Sequence, residues 1–191
     1  YKDRESDPGQ QEQPAKEPVL CYDFENDLNK KTITDVGTGN ESKDHGKLFG
    51  NAAVVYDEER QSNVLYLDGS NGSYAEIPEG FVDKRNTMTI SMDVRSDLGS
   101  GNFFTFTYGK DSTYYDFLRV RGTEVRNAIT TSSYTAEKEV KASGALTGTW
   151  QNVVLVIDKT NMKLYLDGSL VDENTNTEIT TASLGTDLLA Y

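Results

Sequence analysis

The chain is poor in several things that would otherwise assign it a chemistry. Among its 191 residues there is one cysteine, one histidine, one tryptophan and four prolines. A single cysteine allows no internal disulfide, and one cysteine with one histidine cannot supply a zinc set. A serine or cysteine hydrolase needs a base beside its nucleophile. The only imidazole, His45 in "KDHGKLFG", reads as a structural loop residue, and Cys21 as a small buried one. Basic residues are also scarce, with 19 Lys+Arg against 31 Asp+Glu and a net charge of -12. Such a chain repels a phosphate backbone, so nucleic acid is excluded as a partner. No apolar run approaches the roughly 18 residues of a membrane span, so none is expected. Gly37-Thr38-Gly39 lacks the later glycine and lysine of a phosphate loop. Neither an initiator methionine nor a signal peptide is present, so the sequence reads as a mature or excised piece.

What is abundant is β-forming. There are 11 tyrosines and 7 phenylalanines, with many threonines, serines and β-branched residues. Residues 1–18 hold three of the four prolines and almost nothing apolar. They cannot offset their own ordering entropy and read as a linker or disordered tail. The ordered domain is expected over 19–191. There the apolar residues alternate in short runs: Leu20, Tyr22 and Phe24; Leu65 and Leu67; Ala75 and Ile77; Met88, Ile90, Met92 and Val94; Phe104, Phe106 and Tyr108. Further runs lie at 116–120, 128–130, 153–157, 162–166 and 170–172. Period two with turn residues every ten or so positions predicts an all-β antiparallel sandwich or barrel. No amphipathic helix is legible. "LYLDGS" occurs at Leu65–Ser70 and at Leu164–Ser169 with unlike flanks, so it reads as turn chemistry used twice. Asp167-Gly168 predicts a tight hairpin.

"YDFENDL", "DHGKLFGNA", "NVLYLDGSNGSYAEIPEG", "TMTISMDVRSD" and "TWQNVVLVIDKTNMKLYLDGSLV" follow one another in order. Together they resemble the laminin G-like, concanavalin A-like jelly-roll modules fused to bacterial glycoside hydrolases, those of arabinofuranosidase and xylosidase type most of all. The resemblance covers Val19 to Tyr191. It implies a jelly-roll sandwich of two antiparallel sheets in a secreted or cell-surface bacterial protein. It also implies a non-catalytic accessory role, holding polysaccharide (arabinan or xylan type) or bracing an adjoining catalytic domain. A cell-surface protein-interaction or adhesion module is the alternative. Modules of this kind continue past "LGTDLLAY" with a last strand beside the first, so the sequence is expected to lack that strand or to receive it from another chain. The Leu20–Phe24 strand would then have an unpaired edge.

Three site readings follow. Catalysis by a concave-sheet carboxylate pair, held about 5 Å apart in retaining glycosidases, is not supported, because no Glu-x-Asp-x-x-Glu occurs. A structural Ca²⁺ is expected among Glu25, Asp27, Asp35 and Asn40, which crowd one acidic loop and offer hard oxygen ligands. Sugar binding is expected on the face of the 115–121 strand opposite Leu118 and Val120, which presents Tyr115, Phe117, Arg119 and Arg121. Tyr108, Tyr114 and Tyr134 could join it. Aromatic rings meet the apolar side of a sugar, and arginine donates to its hydroxyls. The same residues could instead dock a neighbouring domain. Trp150 is expected in the core.

Overall fold

A computed structural model describes residues 16–144 and 147–191. The tail expected at 1–18 therefore lies mostly outside the described residues. Among those residues the regular structure is strand, with two short 3₁₀ turns at Tyr134–Ala136 and Thr181–Leu184.

In chain order the strands are β1 (Thr32–Ile33), β2 (Gly46–Phe49), β3 (Ala53–Asp57), β4 (Ser62–Tyr66), β5 (Tyr74–Glu76), β6 (Thr87–Val94), β7 (Phe106–Gly109), β8 (Tyr115–Val120), β9 (Glu124–Thr130), β10 (Lys138–Ser143), β11 (Gln151–Asp158), β12 (Asn161–Leu166), β13 (Ser169–Asn174) and β14 (Leu189–Ala190). A five-stranded sheet, β10-β9-β8-β7-β14, faces a four-stranded sheet, β13-β12-β11-β6. Every pairing is antiparallel. The concanavalin A-like jelly-roll sandwich is thus the fold.

Alternation builds the core between the two sheets. Met88, Ile90, Met92 and Val94 of β6 turn inward with Val153, Leu155 and Ile157 of β11. Leu118 and Val120 of β8 and Val125 and Ile129 of β9 meet them from the other sheet. The predicted hairpin joins β12 to β13, with Leu166 opposite Ser169. Asp167 and Gly168 between them have φ of 46° and 81°, the left-handed pair that a two-residue turn of this hand requires. The other "LDGS" makes no hairpin: β4 pairs with β3 and β5 with β2, and the chain turns instead at Ser70–Ser73.

A three-stranded sheet, β1-β2-β5, and the β3-β4 ribbon enclose a second, smaller core of Ile33, Leu48, Ala52 and Val54. A single bridge, Ile77 to Ala190, joins this layer to the edge of the five-stranded sheet.

Two expectations are corrected here. Leu20–Phe24 is not a strand; Tyr22 makes one isolated bridge to Asp35, and Phe24 has φ of 64°, which breaks an extended run. Trp150 stands outside the core cluster, half-buried beneath the Arg60 guanidinium at 4.8 Å from the ring centroid. Its position at the mouth of β11, before the regular alternation begins, explains the difference.

Candidate functional site on the open face of the five-stranded sheet

Strand β8 separates two environments. Its core face carries Asp116, Leu118 and Val120, all buried. Its open face carries Tyr115, Phe117 and Arg119. Register places Phe117 beside Thr107 of β7 and Ala128 of β9, and Tyr115 beside Gly109 and Thr130. Tyr191 exchanges two main-chain hydrogen bonds with Thr107, at 2.9 and 3.0 Å, and so lies in the same row.

The small outward residues of β7 leave a depression. Thr107 and Gly109 form its floor, with Leu189 and Tyr191 on one side and Tyr115 on the other. Phe104 and Tyr134 complete the walls, and Lys110, Asp111, Ser112 and Ser133 close one end with polar groups. The cavity volume is about 460 Å³, within the range of small-molecule sites. Gly109 is obligatory, because a Cβ there would lie 2.5 Å from the Tyr114 carbonyl oxygen and 2.8 Å from Tyr115 Cα. Asp111 shapes the polar end by accepting from the amides of Thr113 and Tyr114.

Phe104 and Tyr134 are 54% and 76% exposed. A ring left in water on a walled depression is unusual, because both could have been buried at a gain. Phe104 stacks on Phe117, centroids 4.6 Å apart, which covers Phe117 and leaves the other face of Phe104 open. Sequence periodicity put Phe104 in line with Phe106 and Tyr108. A bend at Thr105, where the Thr105 hydroxyl accepts from Val120 N and its own amide donates to the Leu118 carbonyl, swings Phe104 to the opposite face.

Of the seven residues expected to contact a ligand, the structure gathers Tyr115 and Tyr134 with their rings at the depression. Tyr108 borders it from β7, but its ring belongs to the core, with its hydroxyl 3.3 Å from Thr181 Oγ1. That corrects its placement, since Phe106 and Tyr108 share the inward face. Tyr114 is exposed in the turn ahead of β8 and does not line the cavity. Phe117 lies on the expected face but is buried under Phe104. Arg119 and Arg121 are bound to Glu124, and Arg121 also donates to the Gly101 carbonyl. Arg126, which the sequence did not single out, bridges Glu137 at 2.5 Å and Glu139, and lies 5.3 Å from the Phe117 ring centroid. The Tyr115 hydroxyl donates to Glu137 at 2.5 Å. Its pKa is pushed up by burial and by that bond. The depression also draws on Phe104, Lys110, Asp111, Leu189 and Tyr191, for which no local pattern signals a site.

Beneath this face lies one carboxyl without a cation. Asp116 is fully buried and accepts from Asn127 Nδ2 at 3.1 Å. Its Oδ1 and the Oδ1 of Asn127 have no partner. Burial pushes Asp116 up to about 8, so the side chain is a neutral acid at pH 7 and carries a proton that an orphan oxygen can accept.

The expected calcium ligands are not assembled. Asp35 accepts from the amides of Cys21, Gly37 and Asp44. Burial works to raise its pKa, but these amides and Lys43 hold it below the usual range. Asp27 accepts from the amide and hydroxyl of Thr34. Glu25 caps the Asn63 amide, and Asn40 joins none of these bonds. Among the described residues no group of three His, Cys, Asp or Glu is placed to hold a metal. The cause is local, since each buried carboxylate is already committed to tying its own loop. His45 Nδ1 accepts from the Asp35 amide, the structural role expected of it. Cys21 is only half-buried, short of the burial expected.

Comparison with solved structures gives the same fold. Domain 4 of AbnA, a GH43 extracellular arabinanase from Geobacillus stearothermophilus in complex with arabinotriose, is 19% identical, with TM-score 0.64 over 88% of this chain and 79% of that one. An S-layer domain-containing protein from Clostridium thermocellum is 26% identical, with TM-score 0.54 over 83% of this chain and 72% of that one. The botulinum neurotoxin serotype D binding domain is 15% identical, with TM-score 0.63 over 91% of this chain but only 42% of that one. No curated protein matches in sequence. Residues 68–190, well over half of the chain, match the laminin G type family described as the concanavalin A-like lectin/glucanases superfamily; the chain belongs to that superfamily.

Proposed function

We propose that residues 19–191 form a non-catalytic carbohydrate-binding module of a secreted bacterial glycan-degrading enzyme. Its site is the aromatic-walled depression on the open face of the five-stranded sheet. The observation that carries this reading is the pairing of two strongly exposed rings, Phe104 and Tyr134, with a floor made of Thr107 and Gly109. The negative face of a ring meets the electropositive C–H side of a sugar. Lys110, Ser112 and Ser133 offer donors for its hydroxyls. The arabinotriose complex of the arabinanase domain supports arabinan-type oligosaccharides as the first ligands to try, with xylan-type chains beside them.

Isothermal titration of the chain against arabino- and xylo-oligosaccharides tests the proposal. Binding that is weakened about tenfold in Tyr134→Ala and in Phe104→Ala is the expected result; absence of heat with every neutral glycan would overturn it. Running the titration with Ca²⁺ and then with chelator reads any metal contribution from the Glu25–Asn40 loop in the same experiment.

A second reading, a cell-surface interaction module, draws on the likeness to the S-layer domain-containing protein. It predicts no glycan binding and a protein partner on this face.

A further inference from the structure

The depression does not end at the edge of the five-stranded sheet. Ile77 donates its amide to the Ala190 carbonyl at 2.9 Å, which sets β5 beside β14. The open face thereby continues across β7, β14, β5 and β2. Phe49 stands opposite Tyr74 in the β2–β5 register, and their rings stack at 4.8 Å. Tyr74 meets Tyr191 edge to face at 5.0 Å. Tyr191 is itself a wall of the depression. Three rings on three successive strands thus form one ridge that starts at the cavity and ends at Phe49, itself 36% exposed. The ring spacing matches the separation of neighbouring strands, and the three steps from β7 to β2 span about 14 Å.

We propose that this face binds an uncharged polysaccharide along several residues of its chain, with the Phe104–Tyr134 depression holding one part and the Tyr191–Tyr74–Phe49 ridge supporting the continuation. The inference rests on the carbohydrate reading above and adds a second contact zone and a ligand class. The charge selects that class. Glu76 and Glu79 act on Tyr191 from the rim, and the chain carries a net charge of -12, so polyuronates and sialylated chains are repelled while neutral ones are not. Phe49 and Tyr191 lie outside the residues matched to the family, 68–190.

The test uses the whole chain and linear arabino- and xylo-oligosaccharides from disaccharide to octasaccharide, with polygalacturonate as the anionic probe. Affinity of the unsubstituted protein should keep rising beyond the trisaccharide. Phe49→Ala should weaken the longest oligosaccharide about tenfold, the loss of one ring contact of roughly 1.4 kcal/mol, and leave the disaccharide unchanged. Polygalacturonate should not bind. Trisaccharide and octasaccharide binding equally well, with Phe49→Ala silent, would remove the ridge and leave the depression standing. Tight binding of polygalacturonate would overturn the ligand class. No binding of any oligosaccharide would remove the carbohydrate reading and this inference with it. A dimer in sedimentation that Phe49→Ala dissociates would assign the ridge to a second copy of the chain instead. The length series needs no variant, so it decides the matter even where a substituted chain folds poorly.

Discussion

Two halves of one sheet face carry similar residue types and use them in opposite ways. Across β8, β9 and β10, Arg119, Arg121 and Arg126 are bound to Glu124, Glu137 and Glu139, and Phe117 is roofed by Phe104. Each of these arginines is ion-paired with a carboxylate within the molecule, although Arg119 Nε and Arg121 Nε are buried without a partner. Across β7 and β14, small residues leave a floor, and the rings around it keep exposed surface. Arginine beside an aromatic on a sheet is therefore not in itself a ligand surface. A side chain is available to a ligand when the fold has left it unpaired, and pairing is decided by the neighbouring strands.

The largest effect should come from beneath the boundary of the two halves, at Asp116. Unfolded, an aspartate ionises near 4; folded, this one titrates at about 8. The folded chain binds the extra proton between those values, so stability falls as pH rises from about 4 to 8 and levels off above. Asp116→Asn keeps the shape, cannot ionise, replaces the orphan Asp116 oxygen with an NH2 that can donate to Asn127 Oδ1, and keeps an oxygen to accept from Asn127 Nδ2. It should flatten that slope and raise stability at pH 7 by about 4 kcal/mol, about three pH units at roughly 1.4 kcal/mol each, measured by urea unfolding across pH. Glycan affinity should be unchanged, which sharpens the distinction between the core side of β8 and its open side.

Next in size is Gly109→Ala. Its methyl group would press on the Tyr114 carbonyl and Tyr115 Cα, costing about 1–3 kcal/mol as overpacking. It should also fill the floor and abolish glycan binding, read by thermal unfolding and titration together. Phe104→Ala should cost about 0.5–1.5 kcal/mol of stability, since it uncovers Phe117, and weaken oligosaccharide binding about tenfold, one ring contact being worth roughly 1.4 kcal/mol. The smallest effect belongs to the charged half: Arg119→Ala should cost under about 1 kcal/mol, since partly exposed ion pairs contribute little. Its glycan affinity should match that of the unsubstituted chain. A large loss of affinity in Arg119→Ala would break the comparison between the halves.

Much of the fold was legible. The alternation over Met88–Val94 and the Asp167-Gly168 turn place β6 and the β12–β13 hairpin where the structure has them, because local pattern and tertiary burial agree there. The same is true of β8, whose two faces follow from Leu118 and Val120. Strands β1, β2, β3, β10 and β14 have no counterpart among the runs legible in sequence. The "GKLF" strand is four residues long, too short for a period to declare itself, and the "KEVKAS" strand is mostly polar around Val140. The site was legible only in part, for a physical reason. Tyr115 and Tyr134 are aromatic residues near a strand, which sequence can show. The burial of Tyr108, the roofing of Phe117 and the pairing of the arginines depend on register between β7, β8, β9 and β10. The contributions of Phe104, Leu189 and Tyr191 depend on a bend and on the return of the chain end to β7. The acidic stretch after Tyr22 is a related case: in sequence it resembles a ligand set, and only register shows that the amides of Cys21, Gly37 and Asp44 take the oxygens of Asp35.

The most direct test of the account is an amide chemical-shift titration of the chain with a linear arabino-oligosaccharide. The account predicts shifts concentrated at Thr107, Gly109, Lys110, Ser133 and Tyr191, with Arg126 and Glu139 on the charged half unmoved. Shifts centred on Arg119, Arg126 and Glu139, with the depression silent, would contradict it.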